Sequence, residues 1–209
     1  FIPVLATLSL IKLIEKPIVK KKGSSTWQGL RDGFDYLKRS PHLASLIVIM
    51  TFSSLFVIPY TSLLPAVARD LFNGDETTFS WFESAAGLGA MIGAIRMASL
   101  KTGENLRYRV MFSALMMGIS LLLLAYAHYL PSAIFFTVAV SFAMMMQNSS
   151  INTYIQTHSM SSYRARIMSY YVMAFQGIFP IGSLLTGAIA EAVGLKNALY
   201  IMGGVGVAI

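Results

Sequence analysis

In the sequence SSYRARIMSYYVMAF, residues 161–175, two arginines stand just before a long apolar run. On the N-terminal side of these arginines, no Asp, Glu, Lys or Arg occurs from Val110 to Tyr163. A charged side chain is costly inside a bilayer, so charge confined to one point between two apolar segments is typical of a loop between membrane helices. The stretch therefore predicts a helical hairpin whose turn lies at a membrane surface.

The composition of the whole chain agrees with a membrane protein. Of its 209 residues, 56% are hydrophobic and 12% are charged, whereas a soluble domain carries about 25% charged residues. A helix needs about 20 apolar residues to span a bilayer. Five segments meet that length, namely 43–68, 79–100, the two halves of 110–163 divided at Pro131, and 167–190. Because none alternates apolar and polar residues as barrel strands do, the predicted fold class is an all-α polytopic membrane protein.

Both ends of the chain are apolar and too short to span a membrane. Residues 1–14 and 197–209 are therefore expected to belong to membrane helices that continue beyond the printed sequence. The domain organisation expected is the end of one membrane helix (1–14), a cytoplasmic linker (15–42) and a transmembrane bundle (43–209).

Lys and Arg are distributed unevenly over the connections between these segments. The connections on one side of the membrane carry fourteen Lys and Arg residues in total, and those on the other side carry two, Arg69 and Lys196. Since cytoplasmic loops collect the excess of Lys and Arg, the side with fourteen is predicted to be cytoplasmic. The net charge of +7 thus lies beside anionic lipid and gives no reason to expect nucleic acid.

The linker contains a short amphipathic pattern after the basic run Lys20–Lys22. Ser25 followed by Gln28 fits a capping box and predicts a helix start. Trp27, Leu30, Phe34 and Leu37 would share one face of that helix. It is expected to lie on the cytoplasmic surface, either as a lever that couples two halves of a transporter or as a simple tether.

The sequence contains no motif typical of a catalytic site or a metal site. The chain has no cysteine, and its three histidines fall in different loops or helix ends. No nucleotide-binding loop and no grouping of nucleophile, base or metal ligands occurs. The sequence therefore predicts a protein that is not an enzyme and that has no catalytic residue, no metal and no cofactor.

Glycines mark two of the predicted membrane helices. Gly89 and Gly93 are four residues apart, a spacing that lets helices pack closely in lipid. Gly177 and Gly182 surround Pro180, which is expected to bend the last complete helix because proline cannot donate a backbone hydrogen bond.

The region NTYIQTHSMSSYRARIMSYYVMAFQGIFPIGSLLTGAIAE, residues 152–191, resembles helices ten and eleven of the major facilitator superfamily. More narrowly, it is similar to the enterobactin-exporter-like branch, the transmembrane secretion effectors. The shared features are the N-T-x-x-Q helix end, the R-x-R turn and the G-x-x-P-x-G-S-L segment. PYTSLLPAVARDLFNG, residues 59–74, similarly resembles the end of helix seven. Ala165 departs from the glycine usual in the turn, and residues 100–110 lack the acidic residue usual in the gating loop.

This resemblance implies a secondary active transporter with twelve helices, of which the chain would hold the C-terminal six and lack the N-terminal six. It also implies proton-coupled efflux of a small molecule, siderophore-like or drug-like, across the inner membrane of a bacterium, with the proton gradient and the bilayer as partners. The alternative from another class is a polytopic membrane sensor or scaffold subunit that transports nothing. Flux through the full-length protein would separate the two.

Polar residues within the predicted spans are the candidates for function, because they are costly in lipid unless they face a bundle or water. The resemblance places helices seven and ten along the cavity, so the substrate-cavity candidates are Ser53, Ser54, Tyr60, Asn148, Asn152 and Gln176. Hydrogen bonding between helices without substrate contact is an open alternative for all of them. Glu83 is the candidate for proton coupling, with a water-facing carboxylate as its alternative. The candidates for the cytoplasmic gate and for topology are Arg107, Arg109, Arg164 and Arg166.

Overall fold

A computed structural model of the chain describes residues 26–100 and 105–209. Its helices, numbered in chain order, are α1 (Thr26–Arg39), α2 (Pro41–Leu71), α3 (Glu76–Ala98), α4 (Leu106–Tyr126), α5 (Leu130–His158), α6 (Arg164–Val193) and α7 (Leu195–Ala208). The expected membrane end at residues 1–14 and the capping side chain Ser25 lie outside the described residues.

The predicted spans are confirmed as helices. Within the described part, α2, α4, α5 and α6 are long and apolar enough to cross a membrane. Helix α3 is less apolar but has 23 residues and packs along the length of α5. The chain is therefore a multi-pass integral membrane protein built from helices.

The helix ends follow the expected local chemistry. Pro41 is the first residue of α2 and Pro131 the second residue of α5, positions where a missing N–H costs no hydrogen bond. Asp75 caps α3 by accepting a hydrogen bond from the Thr78 backbone N–H at 3.0 Å. That bond stabilises the carboxylate and lowers the pKa of Asp75.

Two hydrophobic clusters form the interior, one toward each end of the bundle. One, called the external cluster, joins the helix halves on the side predicted to be external and includes Tyr60, Phe82, Leu121 and Leu199. The other, called the cytoplasmic cluster, joins the halves on the side predicted to be cytoplasmic and includes Met50, Ile151 and Ile167, together with Leu37 of α1. Neighbouring residues of α2 divide between them, because Val57 belongs to the external cluster and Ile58 to the cytoplasmic cluster.

Candidate functional site

Two of the membrane helices are interrupted near their middle by a wide π-helical turn. In α2 the turn covers Ser53–Val57, and the Ile58 N–H donates to the Ser53 carbonyl at 2.8 Å. In α6 the turn covers Met173–Gly177, and the Ile178 N–H donates to the Met173 carbonyl at 3.1 Å. Each turn is followed within three residues by a proline, Pro59 or Pro180, which lacks the N–H needed to continue the regular pattern. Such wide turns are common at functional sites.

The two interrupted helices meet at Gly182 of α6. A Cβ atom at this position would lie 2.5 Å from the Ser54 carbonyl oxygen, 2.7 Å from that of Leu55 and 2.8 Å from Cγ of Pro59. Only glycine lets α6 approach the wide turn of α2 so closely. The predicted role of Gly182 in the bend of α6 thus has a specific partner, the backbone of the other interrupted helix.

Buried hydrogen bonds connect α2 to α5 on either side of this contact. Gln147 Nε2 donates to Ser53 Oγ at 3.1 Å. The Tyr60 hydroxyl lies 2.7 Å from Ser141 Oγ. Ser53, Tyr60 and Gln147 are fully buried, so two of the substrate-cavity candidates, Ser53 and Tyr60, are already bonded to a neighbouring helix.

Three buried oxygens in the same region find no hydrogen-bond partner among the described residues. They are Ser54 Oγ, Gln147 Oε1 and Asn148 Oδ1. A buried polar atom without a partner loses its interaction with water and gains nothing in return. Ser54 and Asn148, both predicted cavity residues, therefore retain capacity to bond a water molecule or a solute.

The remaining cavity candidates lie at less buried positions. Asn152 is half-buried and accepts a hydrogen bond from Gln156. Gln176 lies in the wide turn of α6 with an exposed side chain. The six candidates thus divide into a buried group on α2 and a more accessible group on α5 and α6, and their contact with substrate stays a prediction.

Glu83 lies two turns into α3, and its side chain is exposed. Its role in proton coupling and the alternative, a carboxylate that simply reaches water, both stay open on this geometry.

The end of the bundle predicted to be cytoplasmic carries α1, which packs against the first turns of α6. Arg166 Nη1 donates to Asp32 Oδ2 at 3.0 Å. The rings of Tyr36 and Tyr163 stack with centroids 4.7 Å apart. A Cβ at Gly33 would lie 3.1 Å from Cβ of Arg166, so the two helices are in close contact. The predicted gate residue Arg166 therefore fixes α1 to the hairpin between α5 and α6.

The predicted apolar face of α1 is mostly exposed in the protein, and its contact with the membrane surface stays a prediction. Leu37 is buried, but Trp27, Leu30 and Phe34 are exposed. Helix α1 contacts α6 through Gly33 and the Asp32–Arg166 ion pair, and the ring of Phe34 lies beside that of Tyr170, with centroids 6.4 Å apart.

The other three predicted gate residues occupy different surroundings. Arg107 and Arg164 are exposed. Arg109 is half-buried, and its Nη1 is fully enclosed without a hydrogen-bond partner among the described residues.

The glycine pair of α3 lies where the sequence predicted close packing. Gly89 lies so near the carbonyl oxygen of Val138 on α5 that no Cβ would fit, and a Cβ at Gly93 would lie 2.9 Å from that of Phe142. Gly177, by contrast, would place a Cβ 3.4 Å from the side chain of Met173, which is ordinary contact.

Several of these features were not predicted. The wide turn of α2 has a signal in Pro59, the counterpart of Pro180. Gly118 of α4 contacts Gly206 of α7, and a Cβ at Gly206 would lie 2.9 Å from Gly118 Cα. These two glycines are too far apart in the sequence to form a pattern. Among residues 26–100 and 105–209, no three His, Cys, Asp or Glu side chains gather as metal ligands would.

Comparison with known proteins identifies the family. Residues 3–209 match the family model described as "Transmembrane secretion effector". The staphyloferrin A transporter of Staphylococcus aureus is 25% identical over 209 residues, which cover 97% of this chain and 50% of that protein. The multidrug efflux pump Tap of Mycolicibacterium fortuitum is 22% identical over 168 residues, 80% of this chain and 41% of the pump.

The chain spans about half the length of these curated relatives. The family match covers nearly all of the chain and includes the α5–α6 hairpin, on which the resemblance was recognised. The chain therefore belongs to the transmembrane secretion effector family of the major facilitator superfamily.

Proposed function

We propose that the chain is the C-terminal half of a twelve-helix secondary active transporter, which exports a small molecule across the bacterial cytoplasmic membrane by alternating access. The observation that carries this proposal is the contact at Gly182 between two membrane helices that are both interrupted by a wide turn. Such a pair in a chain of this family supports a bundle that changes shape, which a static scaffold would not need.

The interrupted helices would act as a hinge between the two ends of the bundle. Hydrogen bonding is weakest where the helical register changes, so bending concentrates there. The wide turn of α2 also lies where the external and cytoplasmic hydrophobic clusters meet. Each cluster can then move as a packed unit, while α2 and α6 bend at the level of Ser54 and Gly182.

The substrate would contact polar groups that are not already satisfied within this half. Asn148 Oδ1 has no hydrogen-bond partner among the described residues, Asn152 is half-buried, and Gln176 is exposed in the wide turn of α6. Ser54 could join them when α2 bends, whereas Ser53 and Tyr60 would mainly hold α2 to α5. A siderophore-like or drug-like cargo is in keeping with the names of the two relatives, a staphyloferrin A transporter and a multidrug efflux pump.

The other half of the transporter would cover the surface of this one that is least buried. Helix α6 is the least buried of the four apolar helices. Its exposed side chains include Met173, Ile181 and Leu184. An upstream six-helix half packed there would enclose a cavity between the two halves, as in other transporters built from two repeats. Asn148, Asn152 and Gln176 would face that cavity from this half.

Transport by the full-length protein tests this proposal. The twelve-helix protein in proteoliposomes, given a pH gradient, is expected to move a lipophilic cationic dye against its concentration gradient, and collapse of the pH gradient should stop the movement. Liposomes with correctly folded protein and no flux under any ion gradient would favour the sensor or scaffold.

Proton coupling through Glu83 needs its own comparison. Glu83→Gln removes the titratable carboxylate, and Glu76→Gln is the matched control on the same helix, with an exposed carboxylate in the first turn. We expect Glu83→Gln alone to reduce dye movement driven by the pH gradient while downhill movement continues. Equal coupling in the two variants would remove Glu83 from the mechanism.

A further inference from the structure

A cavity of about 340 Å³ opens between α3, α4 and α5 at their cytoplasmic ends, away from the contact of α2 with α6. Two arginines lie on its wall, Arg96 from the last turn of α3 and Arg109 from the first turn of α4. A second cavity, also of about 340 Å³, lies on the other side of Arg109 between α3 and α5. Arg109 therefore lines both cavities, while its Nη1 is fully enclosed.

The chemistry of Arg109 calls for an anion. Its Nη1 donates no hydrogen bond to any residue in 26–100 or 105–209. An arginine remains charged at any physiological pH, and a buried charged donor without an acceptor is strongly unfavourable. A phosphate oxygen satisfies a guanidinium with short, charge-assisted hydrogen bonds, and Arg96 would add a second positive charge.

Apart from Tyr108 and Ser113, the rest of the cavity wall is apolar and extends toward the membrane centre. It contains Phe112, Met116, Phe142 and Met146. Met116 follows Arg109 by seven residues, which corresponds to about 10 Å along the helix axis. A ligand that fills the cavity thus needs an anionic head at the cytoplasmic level and a hydrocarbon part below it.

The cavity lies next to the surface of α4 that faces lipid. From Met111 to Leu123 the exposed side chains of α4 are apolar, and Met111, Leu115, Ile119 and Leu123 among them recur every four residues. Phe112, at the mouth of the cavity, is 65% exposed beside them, so a molecule could enter sideways from the bilayer.

We propose that this cavity binds an anionic phospholipid of the cytoplasmic leaflet, with its phosphate on Arg96 and Arg109 and an acyl chain along Phe112 and Met116. The cytoplasmic leaflet is rich in anionic lipid, and basic pockets between membrane helices on that side are suited to such headgroups. The lipid would tie α3 and α4 together at the loop that connects them.

Lipid retention measured by native mass spectrometry tests the proposal. The twelve-helix protein is purified with equal amounts of phosphatidylglycerol and phosphatidylcholine of the same chain length. The wild type is expected to retain one phosphatidylglycerol in preference to phosphatidylcholine, and Arg109→Gln to reduce that retention about tenfold. Arg109→Lys should restore part of it, because a lysine keeps the charge but lacks the planar fork.

Arg107→Gln is the matched control, since it removes the same charge from an exposed neighbour that does not line this cavity. It should leave the retention of phosphatidylglycerol unchanged. Equal losses in Arg107→Gln and Arg109→Gln would overturn the proposal, because they would indicate general attraction to a basic surface.

Two further results would also overturn it. Inorganic phosphate that displaces phosphatidylglycerol in equimolar competition would indicate a site for the free anion. A wild type that retains phosphatidylglycerol and phosphatidylcholine equally would show that the cavity does not select an anionic lipid. Absence of transport activity with intact lipid retention would count against the proposed function alone.

Discussion

Two pairs of helices in this bundle use glycine in opposite ways. In the α3–α5 pair, Gly89 and Gly93 bring two uninterrupted helices into contact along one line. In the α2–α6 pair, Gly182 touches a wide turn whose carbonyls no longer follow the regular helical pattern. The difference indicates that close approach alone does not make a hinge. Close approach between regular helices stiffens a bundle, whereas close approach at a break leaves room for bending.

The largest effect is expected where a side chain is forced between the regular helices. Gly89→Ala would drive a Cβ into the Val138 carbonyl of α5, and overpacking of this kind costs about 1–3 kcal/mol of folding free energy. Gly87→Ala is the control, since a Cβ there meets nothing within 4 Å. Unfolding in mixed micelles should show a loss for the first variant and none for the second. Equal stability of the two would show that α3 and α5 are not in close contact.

A smaller loss of stability but a specific loss of transport is expected for Gly182→Ala. Its Cβ would press on the Ser54 carbonyl at 2.5 Å and hinder the rearrangement of the wide turn. The proposed hinge predicts dye export slowed about tenfold in proteoliposomes, beyond what the change in folded fraction explains. Gly187→Ala on the same helix, with nothing within 4 Å, should transport normally. A Gly182→Ala variant that transports at the control rate would argue against bending at this contact.

The ion pair between α1 and α6 is expected to contribute less. Asp32 and Arg166 are partly exposed, at 46% and 32% of their side chains, and exposed pairs contribute about 0.2–1 kcal/mol. Asp32→Asn should increase amide hydrogen exchange in α1 and leave that of α3 unchanged. The exchanged pair Asp32→Arg with Arg166→Asp should recover part of the protection. No recovery would mean that other contacts hold α1, such as the stack of Tyr36 on Tyr163 and the hydrogen bond from the Tyr170 hydroxyl to the Leu30 carbonyl.

The smallest expected effect concerns the cap of α3, outside the bilayer. The Thr78 N–H stabilises the Asp75 carboxylate, so the folded-state pKa of Asp75 is lower than its unfolded value. The contribution of the cap is therefore present above the unfolded pKa and is lost as the pH falls through the folded pKa. Melting temperatures between pH 7 and pH 3 should decline slightly more for the wild type than for Asp75→Ala. Identical declines would show that the cap is not formed.

Much of the fold was predictable because lipid imposes it. Charge-free runs set the spans within a few residues, and Pro41 and Pro131 marked helix starts, since proline is tolerated in a first turn and disfavoured later. Gly89 and Gly93 disclosed close packing through their spacing within one helix. The contact of Gly118 with Gly206 could not be predicted in this way, because it depends on which helices become neighbours.

The site was less predictable than the fold. A polar residue in a span is predicted to face protein or water, but the sequence does not distinguish the two. Ser53 is bonded to Gln147, whereas Asn148 Oδ1 has no partner among the described residues. Helix α1 shows a second difficulty, because its apolar spacing predicts an amphipathic helix but does not mark Asp32 and Gly33, which contact α6.

Distance measurements between spin labels test the central claim, bending of the α2–α6 pair beside a rigid α3–α5 pair. The chain has no cysteine to remove. Labels at Val48 and Leu184 report across the wide turns, and labels at Met91 and Phe135 report across the regular pair; all four side chains are exposed. In the twelve-helix protein in nanodiscs between pH 5 and pH 8, we predict two distances whose proportions change with pH for the first pair and one constant distance for the second. A single constant distance in both pairs would contradict the hinge.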